Sequence, residues 1–455
     1  MPTDQAHEHV RVRTVRALPW ISPLSVAAGL TGREGLLCLL SDPAVPGSRS
    51  FVAVDPDRVQ VQDRVEGALF DGLGKGGLDA GVVGLAAYDA GARSATGVRP
   101  TAWPDLILAR YPALLVFDHD AGQVQAIGWG EDDRAATTAC DRAQAWQSGA
   151  VKPEFPSPPA PALLAEAPDH AYLEAVADVV RAIRAGDLFQ ANISRGWTAI
   201  LDDGTDPFDV FVRLTQVGGA PYGAFWRIGD RAVVSNSPEL FVTLDAQSRR
   251  VETRPIKGTT ARDPDPVQDA ARAAALLASD KDRSENLMIV DLMRNDLSRV
   301  CVPGSVAVEK LFAQESHPTV HHLVSTIAGT LATGVEVGDL LEATFPPGSI
   351  TGAPKHQAMK VIAAHEPPRG AWCGSLLFLD EAANLTASVL IRTAMFERTG
   401  DRWSVQTRAG AGIVADSDPD SELQETDVKI SALCQALTGQ ARPGQTKMNV
   451  VPPVR

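Results

Sequence analysis

The sequence predicts an α+β protein, and three observations carry that prediction. Through about residue 150, short apolar runs such as "GLLCLL", "FVAVDP", "GVVGLAAYDA" and "ALLVFDHDAGQVQAIGW" alternate with Gly and Pro turns, which is the pattern of strands. From Asp169 the period changes: Tyr172, Val176, Val179, Val180 and Ile183 recur on one face until Gly186, as in an amphipathic helix. Beyond it, strand-like and helix-like segments follow one another without an internal repeat. At 455 residues the chain exceeds the size at which one simple core keeps growing. Two to three domains, or one large and intimately packed α/β body, are expected.

Residues 1–150 read as a mainly stranded N-terminal domain. The proline-dense "VKPEFPSPPAPALLAEAP" at 151–168 reads as an extended connector with no core of its own. Residues 169–438 form the second domain. Within it "YGAFWRI", "RAVVSNS", "ELFVTLD" and "RVETRPI" read as strands, and "SENLMIVDLMRNDL" as a helix capped by Asp282 or Ser284. "GAWCGSLLFLD", "LTASVLIRTAMF" and "RWSVQTRAGAGIV" read as later strands, and "DSELQETDVKISALCQAL" as the last helix. The polar tail, 439–455, is expected to be disordered.

Composition removes several function classes. A formal charge of −14 without a basic run argues against a nucleic-acid surface, which needs clustered cations to displace counterions. With 44% hydrophobic and 22% charged residues and no long apolar span, no membrane role is expected. The start, "MPTDQAHEHVRVR", lacks the apolar core of a secretory signal, and the five scattered cysteines suit a reducing, cytoplasmic setting without a disulfide frame. An anionic ligand would then need local positive charge, from a few Arg or Lys, helix N-termini or a metal ion.

Several local patterns could carry chemistry, and each also has an ordinary structural reading. Lys257 lies in an otherwise uncharged Pro-Ile-Lys-Gly-Thr between Arg254 and Arg262; it suits a solvated loop charge, an anion-binding group or a nucleophile. Glu239 follows a proline at the start of a strand, as surface turns often do. Glu422, Glu425 and Lys429 share one face of the last helix, either as a solvated ion-paired face or as cation ligands. The glycines Gly410 and Gly412 before them would let backbone approach a ligand closely. Glu285, near the start of another helix, either favours its dipole or joins those carboxylates around a hard cation such as magnesium. The segment "FPPGSITGAPKHQAMK" has Gly348, Gly352 and Lys355 in a phosphate-loop-like order, but Pro354 replaces the second Walker glycine, which disfavours a nucleotide. "GLGKGG" at 72–77 reads as a loop, and His321 and His322 have no zinc-ligand company.

The order of these patterns is more specific than any one of them. "GDLFQANIS", "SNSPELF", "TRPIKGT", "DRSENLMIVDLMRNDLSRV", "VHHLVST", "FPPGSITGAPK", "GAWCGS", "IRTA", "RAGAGIV" and "SELQETDVK" occur in sequence over about residues 165–438, and this stretch resembles the chorismate-utilising enzymes. "PWISPL", "SRSFVAVDP" and "GVVGLAAYDAG" resemble the N-terminal half of the large subunits that aminate chorismate, a region that binds tryptophan in some relatives. The resemblance implies large antiparallel sheets sandwiched with flanking helices, as two intertwined subdomains around a central cleft. Residue by residue, it implies magnesium held by Glu285 and Glu422 with Glu425 beside them. It places Arg392 and Trp372 at the enolpyruvyl carboxylate, where relatives often carry tyrosine instead of Trp372. Ser349, Thr351, Gly352, Gly410, Gly412 and Lys429 would complete the substrate contacts, with His322 near the departing hydroxyl.

Two markers narrow the branch. Isochorismate and salicylate synthases carry a water-activating lysine where this chain is read as having Ala191, and anthranilate synthases usually have alanine in place of Lys257. The branch that aminates carbon 4 without aromatising the ring carries the lysine, together with an asparagine matching Asn192. The resemblance therefore implies Glu239 as general acid on the ring hydroxyl and Lys257 as the nucleophile at carbon 2. Ammonia, from a separate glutamine amidotransferase subunit or from solution, would give 4-amino-4-deoxychorismate, on the route to p-aminobenzoate and folate. The alternatives are an anthranilate synthase component I and, from another class, a non-catalytic amino-acid-binding regulatory subunit.

Overall fold

Along the strand Tyr222–Ile228, Ala224 and Trp226 face one hydrophobic core and Phe225 faces another, because successive side chains of a strand point to opposite faces. The neighbouring strand Arg231–Ser237 repeats the division, with Val233 in the first core and Ala232 and Val234 in the second. These strands belong to a 12-stranded sheet that is buried on both faces. The computed structural model describes residues 11–443 except 75–77, 79, 318 and 319. Among them a second, 10-stranded sheet contributes Leu85, Phe241 and Leu377 to the first core, which thus lies between the sheets. The second core lies beyond the larger sheet, where Phe211, Leu433 and Cys140 from three helices cover it.

Both sheets are antiparallel throughout, and both mix strands from the two sides of the proline-rich connector. Leu37–Leu40 pairs with Tyr222–Ile228, and Val82–Ala86 pairs with Ser375–Leu379. The connector therefore divides the chain without dividing the sheets. This matches the intertwined architecture expected for the fold.

Three local expectations change, and a fourth is not reached. The N-terminal stretch contains helices Tyr88–Thr96 and Asp133–Ser148 besides its strands. The helix carrying Glu285 is longer than expected, Asp280–Ser298, and its cap is Ser279, whose hydroxyl accepts from the Asp282 amide at 3.2 Å. "LTASVLIRTAMF" is two strands, Leu385–Val389 in the smaller sheet and Thr393–Thr399 in the larger. The expected disordered tail lies outside the described residues from 444 onward.

The division of "LTASVLIRTAMF" positions the site. The chain passes between sheets at Leu390–Arg392, and it does so again between Ser237 and Leu240, through Pro238 and Glu239. The two crossings are laced together: the Asn236 amide donates to the Arg392 carbonyl at 3.1 Å, and the Val389 amide to the Glu239 carbonyl at 3.1 Å. Arg392 takes φ +50 there, a left-handed conformation that non-glycine residues rarely adopt away from constrained sites.

Candidate active site

The crossings open onto a cavity of about 520 Å³. Of the residues singled out from the sequence, it is lined by Asn192, Glu239, Lys257, Glu285, His322, Ser349, Trp372, Arg392, Gly410, Gly412, Glu422, Glu425 and Lys429. Thr351 and Gly352 do not line it. Thr351 is fully buried, its hydroxyl donating to the Pro347 carbonyl at 2.8 Å. Gly352 pairs with Ala191 in a short strand, and a Cβ there would meet the Gln190 carbonyl at 2.2 Å. Both hold the wall from behind.

Lys257 sits on an irregularity of its strand. The register of Ile256–Ala261 against Val320–Thr330 shifts between Ile256 and Thr259, and such a bulge re-aims a side chain. Gly258 supplies the φ of +87 that the bulge needs. The Lys257 amine donates to the Ser349 carbonyl at 3.0 Å. It faces the cavity but is otherwise surrounded by protein, and burial holds its pKa below the ordinary lysine range although Glu285 and Glu239 pull upward.

Glu239 is 4% exposed. Burial raises its carboxyl above the usual carboxylate range, against the opposing pull of Ser349 and Lys257. His322 has its Nδ1 at 2.9 Å from the Thr259 hydroxyl. Burial, with Arg392 nearby, lowers its pKa to about 3, so at neutral pH it is an uncharged imidazole. Arg392 has no carboxylate at ion-pair distance among the described residues, and burial lowers its pKa against the pull of Glu239. The Trp372 indole nitrogen is buried without a hydrogen-bond partner, and such a donor costs stability unless a ligand accepts from it.

The carboxylates Glu285, Glu422 and Glu425 line the same cavity. Burial raises the pKa of Glu285, with the Glu422 charge adding to the effect, and burial likewise raises Glu422, reinforced by Glu425. Glu422 accepts from the Ser417 hydroxyl at 2.7 Å. Glu425 pairs with Lys429 at 2.6 Å, and that neighbour outweighs burial to hold its carboxyl low. Lys429 also donates to the Gly410 carbonyl at 2.9 Å. Among the described residues no three His, Cys, Asp or Glu side chains converge as ligands. A half-buried and a buried carboxylate that repel each other do fit magnesium, which commonly takes one or two and fills its octahedron with water and ligand oxygens.

Sequence reasoning missed two residues. Gln190 is fully buried with both amide atoms unpartnered. The point where a Cβ on Gly412 would sit is 2.3 Å from its Nε2 and 3.3 Å from the Lys257 nitrogen. Ala191, by contrast, packs into the core between the sheets. A residue meeting the site on this strand thus stands at 190, and strand alternation from Asn192 could have found it. The other is Arg369, which is fully buried under the cavity beside Glu366. Lys355, from the phosphate-loop-like segment, lies outside the cavity and pairs with Asp296 at 2.6 Å.

A double-sheet cleft of this kind, with an acid, a half-buried lysine, a cation and paired carboxylates on one cavity, belongs to a recognised class. Residues 52–435 match the sequence model of the chorismate binding enzymes, and the chain belongs to that family. Among its relatives, aminodeoxychorismate synthase component 1 of Salmonella typhimurium is 40% identical over 372 residues, which cover 78% of this chain and 76% of that protein. Anthranilate synthase component 1 1 of Halobacterium salinarum is 37% identical over 79% of this chain and 70% of its own length. The crystal structure of anthranilate synthase component I from Streptococcus pneumoniae TIGR4 has the same fold, with a TM-score of 0.73 at 26% identity. It covers 87% of this chain and 94% of that one. No helix among the described residues is long and apolar enough to cross a membrane.

Proposed function

We propose that this chain is the component I of an aminodeoxychorismate synthase: it aminates chorismate at carbon 4 with ammonia and leaves the ring unaromatised. The observation that carries the reading is Lys257, an amine depressed by burial that shares one cavity with the raised carboxyl of Glu239. A neutral amine is a nucleophile and a protonated carboxyl is an acid, so burial biases each group toward the form the reaction requires. Lys257 attacks carbon 2, the two conjugated ring double bonds shift, the carbon 4 hydroxyl leaves as water with the proton of Glu239, and the Glu239 carboxylate takes a proton from the alkylated amine. Ammonia then adds at carbon 4, both double bonds shift back, and the Lys257 amine leaves with the proton returned by Glu239 while the added nitrogen gives one up.

His322, uncharged, offers a hydrogen bond near the departing oxygen and no proton. Arg392 and the unpartnered Trp372 N–H receive the enolpyruvyl carboxylate, the arginine because its planar fork matches that anion. Glu285 and Glu422 would hold magnesium with Glu425 alongside, and the ion's charge would balance a substrate carboxylate beside this acidic wall. The names of the component 1 relatives support a partner, here a glutamine amidotransferase that supplies ammonia. A soluble, cytoplasmic enzyme suits the composition.

The test is a product-resolved assay with chorismate, magnesium and an ammonium salt, run with and without a glutaminase subunit. The expected product is 4-amino-4-deoxychorismate. Anthranilate as the main product would overturn the reading in favour of the anthranilate synthase branch, and no turnover of chorismate would favour a non-catalytic subunit.

A further inference from the structure

Beneath the cavity, a single guanidinium joins segments that are far apart in sequence. Arg369 and Glu366 are both fully excluded from solvent. The Arg369 Nε meets Glu366 Oε2 at 2.9 Å and its Nη2 meets Oε1 at 3.0 Å. Two further donors go to backbone: Nη1 to the Ile350 carbonyl at 3.1 Å and Nη2 to the Asn192 carbonyl at 2.8 Å. The guanidinium also lies over two rings, Tyr88 at 4.5 Å and Trp372 at 5.2 Å. Its own amide and that of Gly370 donate to Asp89 Oδ2, each at 2.8 Å.

Each of these contacts is one step from a group of the site. Ile350 follows Ser349, whose carbonyl accepts from both the Lys257 amine at 3.0 Å and the Asn192 side-chain Nδ2 at 3.2 Å. Trp372 carries the buried, unpartnered N–H. Tyr88 and Asp89 come from the N-terminal side of the connector. We propose that Arg369 is a positioning residue for the amination: it clamps the Asn192 strand and the Ser349 turn together and stacks the Trp372 indole against Tyr88. Through it the N-terminal segment sets the geometry of the catalytic cavity.

Charge balance alone does not account for this arrangement. Glu366 already accepts from the Ser194 amide and hydroxyl, each at 2.7 Å, and has Arg408 at 3.9 Å. A lysine could keep a positive charge beside Glu366, but a single ammonium has neither the fork that reaches two carbonyls and a carboxylate nor the flat face that stacks. Misplacing reacting groups by about 1 Å costs rate on the order of 100-fold.

The inference rests on the reading proposed above, and the wild-type enzyme separates the two: if it does not aminate chorismate, that reading fails first. Given wild-type turnover, Arg369→Lys is expected to lower kcat about 100-fold, more than chorismate KM rises, while thermal unfolding shows a folded protein. Tyr88→Leu, which removes one stacking face, is expected to lower kcat about tenfold. Tyr88→Phe keeps the ring over which the Arg369 guanidinium lies at 4.5 Å and is expected to keep the rate. Wild-type kcat in folded Arg369→Lys overturns the proposal, as does a loss of rate that only tracks the folded fraction. If Arg369→Lys does not fold, Tyr88→Leu decides: an unchanged kcat in that variant overturns it.

Discussion

Two half-buried lysines of this chain have opposite surroundings. Lys355 lies 2.6 Å from Asp296 and donates to the Thr344 carbonyl at 2.8 Å. Lys257 has a carbonyl, that of Ser349, and no carboxylate within ion-pair distance among the described residues. Burial pulls both below the ordinary lysine range. A lysine locked in a close ion pair remains a strut, because losing its proton would leave the buried Asp296 carboxylate without its ion-pair partner. A lysine that meets only a carbonyl and more distant carboxylates can give up its proton and keep its lone pair for chemistry. Burial alone thus does not mark a reactive amine; the missing partner does.

Substituting each lysine breaks the comparison most sharply. Lys257→Ala should lower turnover by about 10⁴-fold or more while leaving the midpoint of chemical denaturation near that of the wild type. Mass spectrometry of protein trapped with chorismate should find an adduct at Lys257; an adduct elsewhere, or full activity in the variant, would remove its nucleophilic role. Glu239→Gln tests the opposite proton. Its kcat should fall about 10²–10⁴-fold with a smaller change in chorismate KM. The wild-type rate should rise with pH as Lys257 loses its proton and fall as Glu239 loses its own. In the glutamine variant the residual rate should lose the falling limb.

Lys355→Met should do the reverse of Lys257→Ala. It strands Asp296 in the interior, at a cost of about 3–5 kcal/mol of stability by denaturant titration, and the fraction that stays folded should keep a near-normal kcat. The smallest effect is expected at Gly412→Ala. The added methyl would lie 2.3 Å from Gln190 Nε2 and 3.3 Å from the Lys257 nitrogen, so the neighbours must shift, and a kcat loss of about 10–100-fold should follow with little change in stability. An unchanged rate there would show that Lys257 tolerates displacement.

Lys355 and Lys257 also show what could be read from the chain. Both stand in glycine-bearing segments, and nothing local distinguishes them; the resemblance of the surrounding motifs chose Lys257, and the cavity later enclosed it. Periodic elements were legible, as with the helices Asp169–Arg184 and Pro419–Thr438, because one apolar face fixes their period. The helix Asp133–Ser148 was not, since its buried side is mostly alanine and gives little hydrophobic contrast. Arg392 lines the cavity, but its place at a break between two strands was hidden in an unbroken apolar run. That break depends on which sheet each half joins, a long-range property. Gln190 and Arg369 escaped for a related reason: the meaning of Gln190 lies in unsatisfied amide groups, and that of Arg369 in the Asn192 carbonyl and the Tyr88 ring, which are far away in sequence. Thr351 and Gly352 show the converse, since motif membership brought in residues that the folded wall turns inward.

The strand pairings across the connector have a practical consequence. Cutting the chain within 151–168 would give two pieces, and each would expose unpaired edges in both sheets, at Leu37–Leu40 and Val82–Ala86 in one and at Tyr222–Ile228 and Ser375–Leu379 in the other. Open edges of that kind favour aggregation when a piece is made alone. Made together, the same edges are complementary templates, so the natural way to divide this protein is as a split enzyme whose halves restore the cavity by zipping their sheets.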